Sequence, residues 1–177
     1  MRNLLSLVVI AALLQTADVA ALVAQSYETY CLPESLLFLG RVELGAWGSD
    51  VRQLLGKPLR QVQDSAADDG GTYSLVHLQY KDLLVDLGRD KVELLETSSP
   101  KVSLPSGIRV GTSIGEVGGR LGLVNPAQYL RGDTLEPINC EGERHDPNLS
   151  GLQLIFGQAP RDSTRRVRKI RLVESGP

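Results

Sequence analysis

Val42-Glu43-Leu44-Gly45, followed by Asp50-Val51 and Leu55-Gly56, recurs at one constant offset as Ile108-Arg109-Val110-Gly111, Glu116-Val117 and Leu121-Gly122. Each copy reads as a short strand, a tight glycine turn, a two-turn helix and a stop at Gly56 or Gly122, glycine being the residue that most readily ends a helix. In the second copy Ser113 and Glu116 form an S-x-x-E capping box, with Ile114 and Val117 on the inward face. Trp47 occupies the serine's place in the first copy, so that helix start carries the weaker signal.

An antiparallel sheet is expected after each helix. Tyr73 to Tyr80, Leu83 to Leu87 and Lys91 to Glu96 alternate apolar and polar residues, and Lys81-Asp82 and Arg89-Asp90 have the length of two-residue hairpin loops. The second copy answers with Leu152 to Gly157 and Lys169 to Glu174. Leu87-Gly88 then matches Phe156-Gly157, and Lys91 to Glu96 matches Lys169 to Glu174. Its hairpin is lengthened by the polar stretch Gln158 to Arg165, and its first strand falls near Gln128 to Leu135. The organisation is a leader at 1–24, an N-terminal segment at 25–40, repeat 1 at 41–96, a linker at 97–107 with Pro100 and Pro105, and repeat 2 at 108–177. One copy alone has a marginal core. The expected fold is therefore α+β: two tandem helix-plus-antiparallel-sheet repeats joined into one continuous sheet, with both helices on one face and the other face open.

The leader reading rests on Met1-Arg2-Asn3, an apolar run from Leu4 to Leu14 broken only by Ser6, a polar break at Gln15, Thr16 and Asp18, and small residues suited to cleavage after Ala21 or Ala24. A spanning helix wants ~20 apolar residues and would here have to carry Gln15 and Asp18. Export to the periplasm or the medium follows, and no later stretch is apolar enough to span a membrane. In an oxidising compartment Cys31 and Cys140 make one bridge, which on the chain-entropy model contributes up to ~4.7 kcal/mol for a loop of about 100 residues. Lipidation of Cys31 is disfavoured by Glu28, Thr29 and Tyr30 before it. The formal net charge of −2 offers nucleic acid or an anionic membrane little attraction, so neither is an expected partner.

With the short loops fixing register, His77 lies opposite Asp86 and Asp86 opposite Glu93, a polar row across the open face with Tyr73, Gln79 and Lys91 beside it. Val76, Leu78, Val85, Leu87, Val92 and Leu94 turn to the core. Gln153, Lys169 and Arg171 occupy the same face of copy two. His77, Asp86 and Glu93 have the chemistry of a general-base or metal-binding cluster, which would make a small-ligand protein or hydrolase; no nucleophile accompanies them, and a cross-strand ion pair on a solvated sheet accounts for them as well. Cys140 to Asp146 reads as an exposed loop, Arg131-Gly132-Asp133 as a chance tripeptide, Asp64, Asp68 and Asp69 as a solvated turn, and the basic run Arg165 to Arg171 as a charged edge strand. Nucleotide, nucleophile-elbow and zinc motifs are absent, so no catalytic residue, cofactor or metal is assigned.

At the duplicated signature, Val42 to Pro58 and Ile108 to Gly122, the chain resembles the superfamily of the secreted β-lactamase inhibitor proteins and the small lipoprotein of the outer-membrane β-barrel assembly machinery. The shared pattern is apolar-x-x-Gly-x-Ser-x-x-x-Val-x-x-x-Leu-Gly, followed by alternating strands. The inhibitor-like version implies two tandem copies whose concave sheet grips a target enzyme through aromatic anchors, for which Tyr73 and Tyr129 are available. The lipoprotein version implies a peripheral outer-membrane partner, one copy and a lipid-bearing cysteine. Either way the expected role is that of a non-catalytic module binding a protein partner through the open face (Tyr73, His77, Asp86, Glu93, Lys169, Arg171) and the loops Gln63 to Gly71 and Asn139 to Ser150.

Overall fold

The computed structural model describes residues 31–32, 37–68, 70–135, 138–139, 151–158 and 164–174. The leader, Cys140, the 140–150 loop and Asp69 lie outside the described residues. In chain order come β1 (Cys31–Leu32), β2 (Phe38–Leu39), β3 (Val42–Glu43), α1 (Gly48–Leu55), β4 (Arg60–Asp68), β5 (Gly71–Gln79), β6 (Leu84–Gly88) and β7 (Lys91–Thr97). They are followed by α2 (Ile114–Leu121), a 3-10 turn over Pro126–Tyr129, β8 (Leu130–Arg131), β9 (Thr134–Leu135), β10 (Ile138–Asn139), β11 (Gly151–Phe156) and β12 (Val167–Val173). The fold is α+β and mostly antiparallel: among the described residues, eight strands make one sheet in the order β4-β5-β6-β7-β12-β11-β9-β8. Short pairs join β2 to β3 and, in parallel, β1 to β10, where Cys31 is opposite Ile138.

One face of the sheet carries the core. Leu78, Val85, Leu87, Val92 and Leu95 from β5–β7 meet Leu152, Leu154, Phe156, Val167, Ile170 and Leu172 from β11 and β12, and the helices add Val51, Ile114, Val117 and Leu121. Each fully buried side chain of this kind contributes about 1.5–3 kcal/mol. The helix ends follow the sequence signals. Glu116 N–H donates to Ser113 Oγ at 3.3 Å and Ser113 N–H donates to Glu116 Oε2 at 2.8 Å, while Trp47 offers α1 no side-chain cap. Both helices stop at glycines of positive φ, 77° at Gly56 and 73° at Gly122.

Both helix starts are fastened to the sheet by the same backbone pattern. At α1, Gly45 N–H donates to Val92 O (2.8 Å), Val92 N–H to Ala46 O (2.9 Å) and Gly48 N–H to Asp90 O (2.8 Å). At α2, Gly111 N–H donates to Val167 O (2.7 Å), Val167 N–H to Thr112 O (2.9 Å) and Ile114 N–H to Arg165 O (3.0 Å). Val92 therefore corresponds to Val167 and Lys91 to Arg166, three residues away from the Lys91-to-Lys169 match expected above. A β-bulge recurs at the corresponding place in each half. Leu87 pairs with Val92 but Asp86 with Leu94, leaving Glu93 extra; Phe156 pairs with Val167 but Ile155 with Lys169, leaving Arg168 extra.

The first bulge corrects the expected register. Asp86 is opposite Leu94, not Glu93, and beyond the bulge the alternation inverts: Leu95 is fully buried, Leu94 is half-buried on the other face, and Glu96 joins the open face. The stretch expected as a loop from Gln63 to Gly71 is mostly the outermost strand β4, which includes Asp64 and Asp68. The expected edge strand β12 is central, between β7 and β11. The strand expected near Gln128 to Leu135 is two short ones, β8 and β9, turning at Gly132 (φ 67°).

Gly48 permits the close approach of α1 to the β6–β7 turn, since a Cβ there would stand 2.7 Å from Leu87 Cδ1 and 2.5 Å from Asp90 Oδ1. Gly48→Ala is expected to destabilise the fold by about 1–3 kcal/mol in urea unfolding, because the added methyl displaces the side chain of the buried Leu87.

Candidate functional site

Cross-strand pairs put their side chains on the same side of a sheet. The ladder accordingly assigns the open face, row by row. Val62, His77, Asp86, Leu94 and Val173 form one row, and Arg60, Gln79, Leu84, Glu96, Arg171 and Gln153 the next. Among the described residues no helix covers this face.

The expected row of His77, Asp86 and Glu93 is split in two. His77 Nδ1 and Asp86 Oδ1 are 2.7 Å apart, with the side chains 33% and 16% exposed. An ionised carboxylate only accepts, so the ring donates from Nδ1, which leaves Nε2 as the acceptor when the ring is neutral. Glu93, carried off register by the bulge, folds its carboxylate over Gly88, where any Cβ would collide with it. There it accepts a long hydrogen bond from Tyr73 Oη (3.4 Å), and the Arg89 guanidinium lies 4.3 Å from the Tyr73 ring centroid. Among the described residues no three of His, Cys, Asp and Glu are grouped as a metal would require.

At the centre, Glu96 is shared by the two expected cations. Its Oε1 is 2.7 Å from Lys169 Nζ, and its Oε2 accepts from Arg171 Nη2 (2.6 Å) and Nε (3.0 Å). Burial pushes the Glu96 carboxyl up, but hydrogen bonds and charge from Lys169 and Arg171 outweigh it and hold the group below the usual carboxylate range. The rest of the basic run is also occupied. Arg166 Nη1 donates to Gly111 O (2.9 Å), Arg165 Nη1 to Gly132 O (2.9 Å), and Arg168 Nη2 to Asp133 Oδ2 (2.9 Å). Arg131-Gly132-Asp133 is thus the β8–β9 turn, with its carbonyl and carboxylate tied to β12 and the loop before it.

The sequence pattern hides the placement of Glu96 and Trp47 on the open face. Glu96 was masked by strict alternation through Lys91 to Glu96, although the adjacent apolar residues Leu94-Leu95 are the mark of a bulge. In the sequence Trp47 signals only a poor helix cap. Its backbone bridges Lys91, which places its ring on the Lys91 side of the sheet; it is 52% exposed, with Lys91 Nζ 5.0 Å from its centroid. Tyr129, expected on the concave face, packs against the core instead. The aromatic groups of the open face, Trp47 and Tyr73, therefore stand at the end that carries the Arg89-Asp90 turn, each beside a cation.

No family model matches the sequence, and no curated protein matches it. Solved structures similar to the chain include the uncharacterized protein yfeY from Escherichia coli, with 10% identity, a TM-score of 0.42, and coverage of 81% of this chain and 99% of that one. An extracellular protein containing an SCP domain from Bacillus anthracis str. Ames shares 10% identity with a TM-score of 0.41, over 74% of this chain and 44% of that one.

Because Glu96 is held below its unfolded value of about 4.3, its ionised form adds stability that is complete above that pH and is lost as pH falls through the lower folded value. Glu96→Gln is expected to cost about 1–3 kcal/mol near neutral pH, with wild type and variant converging in acid. Urea unfolding across a pH series measures the gap; one that did not narrow in acid would contradict the assignment.

Proposed function

We propose that the protein is an exported, non-catalytic protein-binding module made of two tandem copies of a helix-plus-meander unit, and that the open sheet face is its binding surface. The observation that carries this reading is a continuous sheet with its core on one side and, on the other, a face that no helix covers among the described residues and that bears solvent-facing aromatic and charged groups. Duplication is supported by the constant sequence offset, the matching triplets of backbone hydrogen bonds and the paired bulges. The resemblance to the β-lactamase inhibitor proteins fits a face of this kind, and Trp47 with Tyr73 supplies aromatic anchors of the type that dominate tight interfaces. Export follows from the leader at 1–24, and among the described residues no helix is long and apolar enough to cross a membrane.

A small-ligand or metal site centred on His77 is the rival reading, and it retains the His77–Asp86 pair without Glu93. Metal analysis of the purified protein before and after His77→Ala separates the two: a bound metal lost in the variant favours the rival.

The test of the module reading is affinity capture from the native cell envelope and medium, with wild type compared against Trp47→Ala, Asp86→Lys and Lys91→Glu. A stoichiometric protein held by wild type and lost from the variants, at unchanged circular dichroism, is the expected result. Retention by all three variants would remove the open face from the proposal. Non-reducing peptide mapping of the exported protein is expected to join the Cys31 and Cys140 peptides.

A further inference from the structure

We propose that β4 pairs edge to edge, antiparallel, with β4 of a second copy of this chain, about a two-fold axis at Val62. This inference is independent of what the open face binds.

β4 is the outermost strand of the sheet, and among the described residues nothing pairs with its outer edge. The phase of the ladder determines which backbone groups are free. Tyr80 N–H donates to Leu83 O, so Tyr80 and the residues at alternate positions before it turn their hydrogen bonds toward β6. His77, Leu75 and Tyr73 then bond toward β4, through their partners Val62, Asp64 and Ala66. Gln61, Gln63, Ser65 and Ala67 are left with N–H and C=O aimed outward. Independently, the Ser65 N–H is taken at 2.8 Å by the Asp64 carboxylate rather than by β5.

The side chains select both the occupant and the register. On the open face the edge reads Arg60, Val62, Asp64, a cation and an anion flanking an apolar residue that is 39% exposed. Antiparallel pairing about Val62 sets Arg60 of each copy against Asp64 of the other and Val62 against Val62, while Gln61 and Gln63 exchange four backbone hydrogen bonds across the edge. Moving the axis to Asp64 places carboxylate against carboxylate, and moving it to Gln63 sets both charges against apolar residues. A second copy carries the complementary sequence by identity, which an unrelated strand does not. The opposite edge, β8, has two residues and offers no comparable template.

Sedimentation equilibrium of the purified protein over a concentration series is expected to give a monomer–dimer equilibrium. Gln63→Pro removes an outward N–H that β5 does not use, so the fold is retained by circular dichroism and the dimer dissociation constant rises roughly tenfold or more. Arg60→Asp alone and Asp64→Arg alone weaken the dimer, and the two together restore it. A monomer at every concentration overturns the proposal, as does a dimer indifferent to Gln63→Pro and to the charge swap.

Discussion

The pairing of β7 with β12 is the contact on which the rest of the molecule depends. Four residue pairs make it, from Leu94 with Val173 to Thr97 with Ile170. On the core side Leu95 meets Leu172, and on the open side Glu96 meets Arg171. Without this seam the described residues are two four-stranded meanders, each with one short helix and too little apolar surface to hold itself together. The seam joins the two sets of inward side chains into one core, and it explains why a carboxylate is tolerated at its centre: Lys169 and Arg171 bracket Glu96 at hydrogen-bonding distance. Thr97 is buried beside it and is satisfied in turn, donating to Asp82 O at 2.6 Å and accepting from Ser99 N–H at 3.0 Å, so the seam also anchors the β5–β6 turn.

Two-residue loops made much of this arrangement legible in advance. Lys81-Asp82 and Arg89-Asp90 leave one register for β5 and β6, and the 2.7 Å contact of His77 with Asp86 follows from it. The Arg89-Asp90 turn takes positive φ at both residues, 51° and 62°, as a type I′ hairpin demands. What the alternation concealed was the extra residue at Glu93, which moved Leu94 and Glu96 out and Leu95 in. β4 was concealed by composition: with, among the described residues, a partner on one edge only and solvent on most of its surface, a strand of Gln, Asp, Ser and Ala is chemically indistinguishable from a loop. The basic run was concealed by distance along the chain, since its partners Asp133 and Glu96 lie 35 and 75 residues from Arg168 and Arg171.

The two halves share a backbone frame and differ in what stands on it. Where α1 begins with Trp47 and Gly48, α2 begins with Ser113 and Ile114. The bulged residue is Glu93 in one half and Arg168 in the other. The consequence is a sheet whose first half presents aromatic rings, a histidine and carboxylates, and whose second half presents cations engaged by distant acids. The glycines that take positive φ before each helix, Gly45 and Gly111, occupy matching places in the two halves.

The sequence separation across the seam also shapes how the chain reaches its structure. Within the first half, contacts are local and closed by tight turns, the kind that form early. The seam joins residues 75 positions apart, as at Glu96 and Arg171, so the larger loop-closure entropy falls on it. Pairing across the seam is therefore expected to form later than the local turns of the first half. Until it occurs each half exposes an unpaired strand, β7 or β12, that fits the complementary half of any chain nearby. Two molecules folding at high concentration have a route to exchange halves across the linker, trading two intramolecular seams for two intermolecular ones.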